Sequence, residues 1–253
     1  MKKITRTLLL ITAITTAFFA CKKDDTLRYN NATMGNLEEN AIISDQGNTL
    51  DIVEADSRID LSTFESKRVM VLCDILKETS ENRYDIRLKS AAAVLTKECI
   101  NQSSITEDND EYSANDPLII KELWYSGGYL NMLIEFARKT GSETIHYINL
   151  LNDDITSESG KYTFTLLHDA KGETPSADDK DYSSAFSYVS FPISGIIAED
   201  EAQITIKWKS HKFSGAAYSL TETEDISNEY TWKREGFEQN PKTVKEVSRA
   251  DLE

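Results

Sequence analysis

The dominant pattern along this chain is alternation of apolar and polar side chains with period two. Tyr84, Ile86 and Leu88 are interleaved with Asp85, Arg87 and Lys89, and Ile204, Ile206 and Trp208 with Thr205, Lys207 and Lys209. Successive side chains of a strand point to opposite faces, so both segments predict half-buried β-strands. Leu130, Met132, Ile134 and Phe136 share one face of a third strand, which follows a strand over 118–125 and a Ser126-Gly127-Gly128 turn of hairpin type. Gly47-Asn48 opens a short strand over 49–54, a longer one covers 68–77, and others fall at 145–151, 162–168 and 187–193. In the polar stretch after Thr221, Tyr230 and Trp232 mark a last edge strand. Neither heptads nor internal repeats occur, and no helical periodicity separates the strands. The pattern predicts an all-β protein, a small β unit followed by a sandwich or barrel of six or more antiparallel strands.

Residues 102–116 are acidic, rich in turn formers and followed by Pro117, and are read as the linker between a β domain over 41–101 and a sandwich over 117–235. Residues 21–40 lack periodicity and read as a tether, and 236–253 as a polar tail.

At the N-terminus Lys2, Lys3 and Arg6 precede an apolar run over 7–20 that ends at Cys21. This is the pattern of a secretory signal peptide, residues 1–20, with a lipidation site. The run is shorter than the roughly 20 apolar residues of a membrane span, and the polar Lys22-Lys23-Asp24-Asp25 follows at once, so acyl chains on Cys21 are expected to anchor the protein to the membrane. Ala20 suits the lipoprotein signal peptidase, while Phe18 and Phe19 depart from the usual residues before the cysteine.

The chain has 28 Lys and Arg against 43 Asp and Glu, and loss of the three leader cations takes its net charge from −15 to −18. Such a field repels nucleic acid and anionic lipid, and excludes nucleic acid as a partner. Of the other cysteines, Cys73 lies in the apolar run Val69-Met70-Val71-Leu72-Cys73, where a buried free thiol is expected; an oxidising envelope would also permit a bond to Cys99.

Several stretches, in order, resemble the NigD-like lipoproteins of anaerobic Gram-negative bacteria. They are residues 47–54, Lys67-Arg68-Val69-Met70-Val71, Tyr84-Asp85-Ile86, Trp124 through Leu130-Asn131, His146-Tyr147-Ile148-Asn149-Leu150, Leu167-His168-Asp169-Ala170, Phe191-Pro192-Ile193 and Ile204-Thr205-Ile206. The resemblance spans about residues 41–208 and implies a small OB-like barrel followed by an antiparallel β-sandwich, with no established activity. Proteins similar to this one carry Lys and two acids after the acylated cysteine as a signal for display on the outer face of the outer membrane, and Lys23, Asp24 and Asp25 fit it. The same charges also suit a plain solvated tether. Asp25-Thr26-Leu27 resembles a short O-glycosylation sequon of such bacteria.

Catalytic and metal motifs are missing from the sequence: no Gly-x-Ser-x-Gly, His-Glu-x-x-His or glycine-rich phosphate loop occurs, so no enzyme, cofactor or metal is expected. His146 and His168 sit where apolar side chains point, and are read as hydrogen-bonded core residues that face each other across the sheet. Glu173, Asp178, Asp179 and Asp181 lie in one loop but lack the order of a calcium loop, and read as a solvated acidic segment. OB-type barrels bind oligonucleotides or oligosaccharides across one face, and Trp124, Tyr125 and Tyr129 around the Gly-Gly turn are the candidate aromatic platform. The expectation is a non-enzymatic, surface-displayed outer-membrane lipoprotein that binds an extracellular glycan, protein or peptide. The alternatives are a bacteriocin-associated immunity lipoprotein and a structural part of the envelope or its vesicles.

Overall fold

The structure, a computed structural model, describes residues 27–28, 32–64, 67–106, 112–156, 158–175, 181–214 and 217–234. Cys21, Lys23, Asp24, Asp25 and Thr26 lie outside these residues, as do Asp178 and Asp179. Fifteen strands and two single 3-10 turns make up the regular structure among them.

The N-terminal sheet contains β1 (Leu27–Arg28), β2 (Thr33–Glu38), β3 (Ala41–Ser44), β4 (Thr49–Ala55), β5 (Arg68–Ser80) and β6 (Arg83–Ala93). Strands β2, β3, β4, β6 and β5 are neighbours in that order, and β5 closes the ring onto β2. Only β4 and β6 run parallel in this ring. A five-stranded Greek-key barrel of this order is the OB-like barrel. Ile42, Leu50, Val69, Val71, Cys73, Ile86 and Leu88 fill it. The close pairing of β2 with β3 needs Gly35 within β2, because a Cβ there would stand 2.5 Å from the Ile43 carbonyl oxygen.

Two sheets form the sandwich. One orders β7 (Leu95–Thr96), β13 (Tyr182–Pro192), β10 (Tyr129–Lys139) and β9 (Ile119–Ser126). The other orders β15 (Ala217–Lys233), β14 (Glu201–Ser214), β12 (Lys161–Asp169), β11 (Tyr147–Asn152) and β8 (Ile100–Asn101). Leu130, Met132 and Ile134 of β10 meet Phe164, Leu166, Ile204 and Ile206 across the interior. Trp232 of the edge strand β15 is fully buried and stands edge-on to Tyr125 at 5.5 Å. Three pairings in the sandwich are parallel, β7 with β13, β8 with β11 and β12 with β14, which strand-by-strand alternation does not reveal.

Two boundaries differ from the sequence reading. Strand β2 falls inside the stretch read as a tether; its sequence Thr-Met-Gly-Asn-Leu-Glu buries Thr33 and Met34 against other elements and has no apolar alternation to mark it. Strands β7 and β8, assigned to the first domain, pair with the two sheets of the sandwich, so the chain leaves the barrel at Val94. Residues 102–116 therefore join two strands of the sandwich rather than two domains, and Ser103 and Asp154 bond them to its loops. Among the described residues Cys73 and Cys99 are free thiols, Cys73 in the barrel and Cys99 against the sandwich core.

Candidate functional site

The two faces of β5 have different neighbours. Val69, Val71 and Cys73 point into the barrel, while Arg68 and Met70 point at the sandwich and are also buried, which is why the run reads as continuously apolar. Met70 packs with Met34 and Val94 against Trp124 and Tyr188. Arg68, 2 % exposed, is the polar centre of this junction. Its guanidinium donates to both Asp45 oxygens at 3.0 and 2.7 Å, to Asn131 Oδ1 at 2.9 Å and to Ser190 Oγ at 3.0 Å. It also lies 4.0 Å above the Tyr129 ring. Ser126 donates to Asp45 at 2.5 Å, and Asn131 donates to Ser126 at 3.1 Å, so residues of both domains form one connected network. Buried charge is tolerated when paired and hydrogen-bonded in this way, and such a network fixes the geometry of the groups around it.

Beside the junction opens a cleft of about 810 Å³. Asn36 and Glu38 of β2, Glu39 of the following turn, Ile43 of β3 and Thr49 of β4 form its barrel wall, and Thr96 and Tyr129 belong to the sandwich wall. Lys67 and Arg83 are its exposed cations; Arg83 is held bidentate by Asp51 at 2.6 and 2.8 Å. The cleft thus lies over the first three strands of the barrel, between its first and last turns, where OB-type barrels receive ligands. Its lining pairs planar hydrogen-bonding groups with one aromatic ring.

The three aromatics expected to form a platform do not share one surface. Alternation along β9 turns Tyr125 into the sandwich core, 8 % exposed, and burial raises its phenol pKa. Trp124 points the other way, edge-on to Tyr188 at 6.4 Å in the domain junction. Tyr129 alone reaches the cleft. Lys67, Arg68, Arg83 and Asp45 were not singled out from sequence; the one available signal was an arginine heading a buried strand.

At the opposite end of the sandwich the two histidines meet. His146 Nδ1 lies 3.0 Å from His168 Nε2, His146 Nε2 lies 3.3 Å from Glu173, and His168 Nδ1 lies 3.3 Å from the Pro117 carbonyl. Phe136 packs against both rings. Elsewhere in the loop read as acidic, Asp169 pairs with Lys171 at 2.5 Å. Among the described residues no group of three or more His, Cys, Asp or Glu side chains is arranged to hold a metal ion.

These features define a class: a two-domain all-β protein in which an OB-like barrel is locked onto a sandwich beside a polar cleft. Residues 101–222, the sandwich, match the NigD-like C-terminal beta sandwich domain. Among solved structures it is similar to a protein of unknown function from Bacteroides vulgatus, with TM-score 0.62, 17 % identity and coverage of 88 % of this chain and 97 % of that one. It is similar to a NigD-like immunity protein from Bacteroides caccae, with TM-score 0.57, 18 % identity and coverage of 81 % and 96 %. A candidate lipoprotein from Bacteroides fragilis gives TM-score 0.54 at 15 % identity, over 80 % and 96 %. These likenesses carry the fold. No curated protein matches the sequence.

Proposed function

We propose that this chain is a non-enzymatic lipoprotein, anchored through Cys21 in the outer membrane and displayed at the cell surface, whose cleft binds a polar extracellular ligand, an oligosaccharide above the alternatives. The carrying observation is the position of the cleft, on the face that OB-type barrels use for oligonucleotides and oligosaccharides. A net charge of −15 disfavours the first of these, since neutralising phosphates supplies most of the affinity for nucleic acid. Tyr129 with Asn36, Glu38 and Arg83 offers an aromatic ring and planar hydrogen-bonding groups, the chemistry that suits a hydroxyl-rich chain. The leader, Cys21 and the likeness to a candidate lipoprotein from Bacteroides fragilis support the anchor, and Lys23-Asp24-Asp25 supports surface display.

Titration against a panel of purified extracellular oligosaccharides tests the reading. Binding by the native protein that falls at least tenfold in Lys67→Ala and Arg83→Ala is the expected result. Absence of binding across neutral and charged glycans alike would overturn it.

The name of the Bacteroides caccae relative favours a second reading, protection of the producing cell against a toxin, in which the occupant is a secreted protein. Selective killing of a deletion strain by its parent in co-culture would support that reading over glycan binding.

A further inference from the structure

The hydrogen bonds of the histidine pair determine which nitrogens of His168 donate and accept. The Pro117 carbonyl only accepts, so His168 Nδ1 bears a hydrogen. His168 Nε2 is then the acceptor in a neutral ring, and His146 Nδ1 must donate to it. At the other end His146 Nε2 meets the Glu173 carboxylate, which hydrogen bonds from Ser142, Thr144 and His146 hold down at about 2 and hence ionised. The pair therefore holds together only while His168 Nε2 keeps its lone pair free to accept from His146 Nδ1.

We propose that Glu173, His146 and His168 form a proton-dependent latch that ties together three connections at this end of the sandwich and opens on acidification. The tied segments are those the chain must use to enter or leave its strands. Pro117 precedes β9; Ser142, Thr144 and His146 lie between β10 and β11; Glu173 follows β12. Asp116 strengthens the same tie by accepting from the Ala170 amide at 2.8 Å and the Thr174 hydroxyl at 3.2 Å.

A proton on His168 Nε2 breaks the chain, because it would set N–H against N–H across 3.0 Å. Burial first, and His146 second, push His168 down from 6.5 to about 4. Around it Asp116 and Asp169 favour its charged form, and Lys171 offsets Asp169. His211 of β14 lines the same cavity of about 10 Å³ and is itself pushed down by burial, with Glu135 of β10 opposing. Arg138 reaches the loop only through the Ser142 carbonyl.

The direction follows from proton counting. In the closed form His168 stays neutral until about 4, whereas in an opened form it takes its ordinary value of 6.5, so between those limits the open form binds the extra proton. The open population rises by up to about tenfold for each unit of falling pH in that window, and by about 300-fold across it. Glu173 acts in the same direction lower down, between 4.5 and about 2.

The intact chain has three histidines, so selective ¹⁵N labelling resolves each ring. The expected spectrum at pH 7 shows His168 neutral with its hydrogen on Nδ1. Hydrogen exchange in 112–118, 140–147 and 170–175, corrected for intrinsic chemistry, should quicken by about 30-fold from pH 7.5 to 5 while β3 stays unchanged. His168→Gln should remove that pH dependence. A charged His168 at pH 7, or exchange in these segments that ignores pH in the wild-type chain, would overturn the latch without reference to any variant.

Discussion

Arg68 and Asp45 form a bidentate ion pair inside the junction of barrel and sandwich, with side chains only 2 % and 3 % exposed. They lie on the same domain, and the sandwich supplies Asn131, Ser190 and Ser126 to complete their hydrogen bonds. Removing one partner leaves the other charged and buried, so Arg68→Ala or Asp45→Ala should cost about 3–5 kcal/mol. Calorimetry should then resolve two unfolding transitions in place of one, because the tie between domains is lost. Arg68→Lys should recover little, since an ammonium cannot span both Asp45 oxygens and stack on Tyr129.

Gly127 stands at the same junction with φ 58°, and a Cβ there would lie 2.4 Å from Asp45 Oδ1. Gly141 has φ 78° with nothing within 4 Å of the added atom. Gly127→Ala should therefore destabilise the protein by about 1 kcal/mol or more beyond Gly141→Ala, in which the backbone penalty acts alone. Denaturant midpoints of the two variants give the difference.

Burial raises the Cys73 thiol to about 11 and the Cys99 thiol to about 12. Reactivity belongs to the thiolate, so neither should label with a thiol reagent at pH 8 in the native state, and both should label once the chain is denatured. Peptide mass spectrometry of alkylated protein distinguishes the two sites. Rapid labelling of native Cys73 would mean that the barrel opens readily.

Cys21 carries the proposed anchor, so Cys21→Ala should abolish palmitate labelling and release the protein from membranes. Replacing Lys23, Asp24 and Asp25 with Ala should protect the protein from protease added to intact cells. Retained labelling in the first variant, or unchanged cleavage in the second, would end the corresponding part of the reading.

Much of the architecture was legible in the chain. The alternation of Tyr84, Ile86 and Leu88, of Leu130, Met132 and Ile134, and of Ile204 and Ile206 marks strands whose inward residues do form the two cores. This works because a strand buried on one side carries its environment in its own period. Strand β2 escaped notice because polar Thr33 and Asn36 and flexible Gly35 occupy it, and strands β7 and β8 because two residues have no period to detect.

The candidate site was legible only in fragments. Trp124, Tyr125 and Tyr129 are close in sequence, yet the pleat of β9 and the turn after it send them to three environments. The sequence by itself determined the all-β class, the two cores and the acid excess, since these depend on local period and on composition. Only the tertiary structure decided the junction, the cleft and the histidine chain. Arg68 meets Ser190 across 122 positions and His146 meets Glu173 across 27, and a hydrogen bond of a few ångströms depends on which strands become neighbours, which no local pattern encodes.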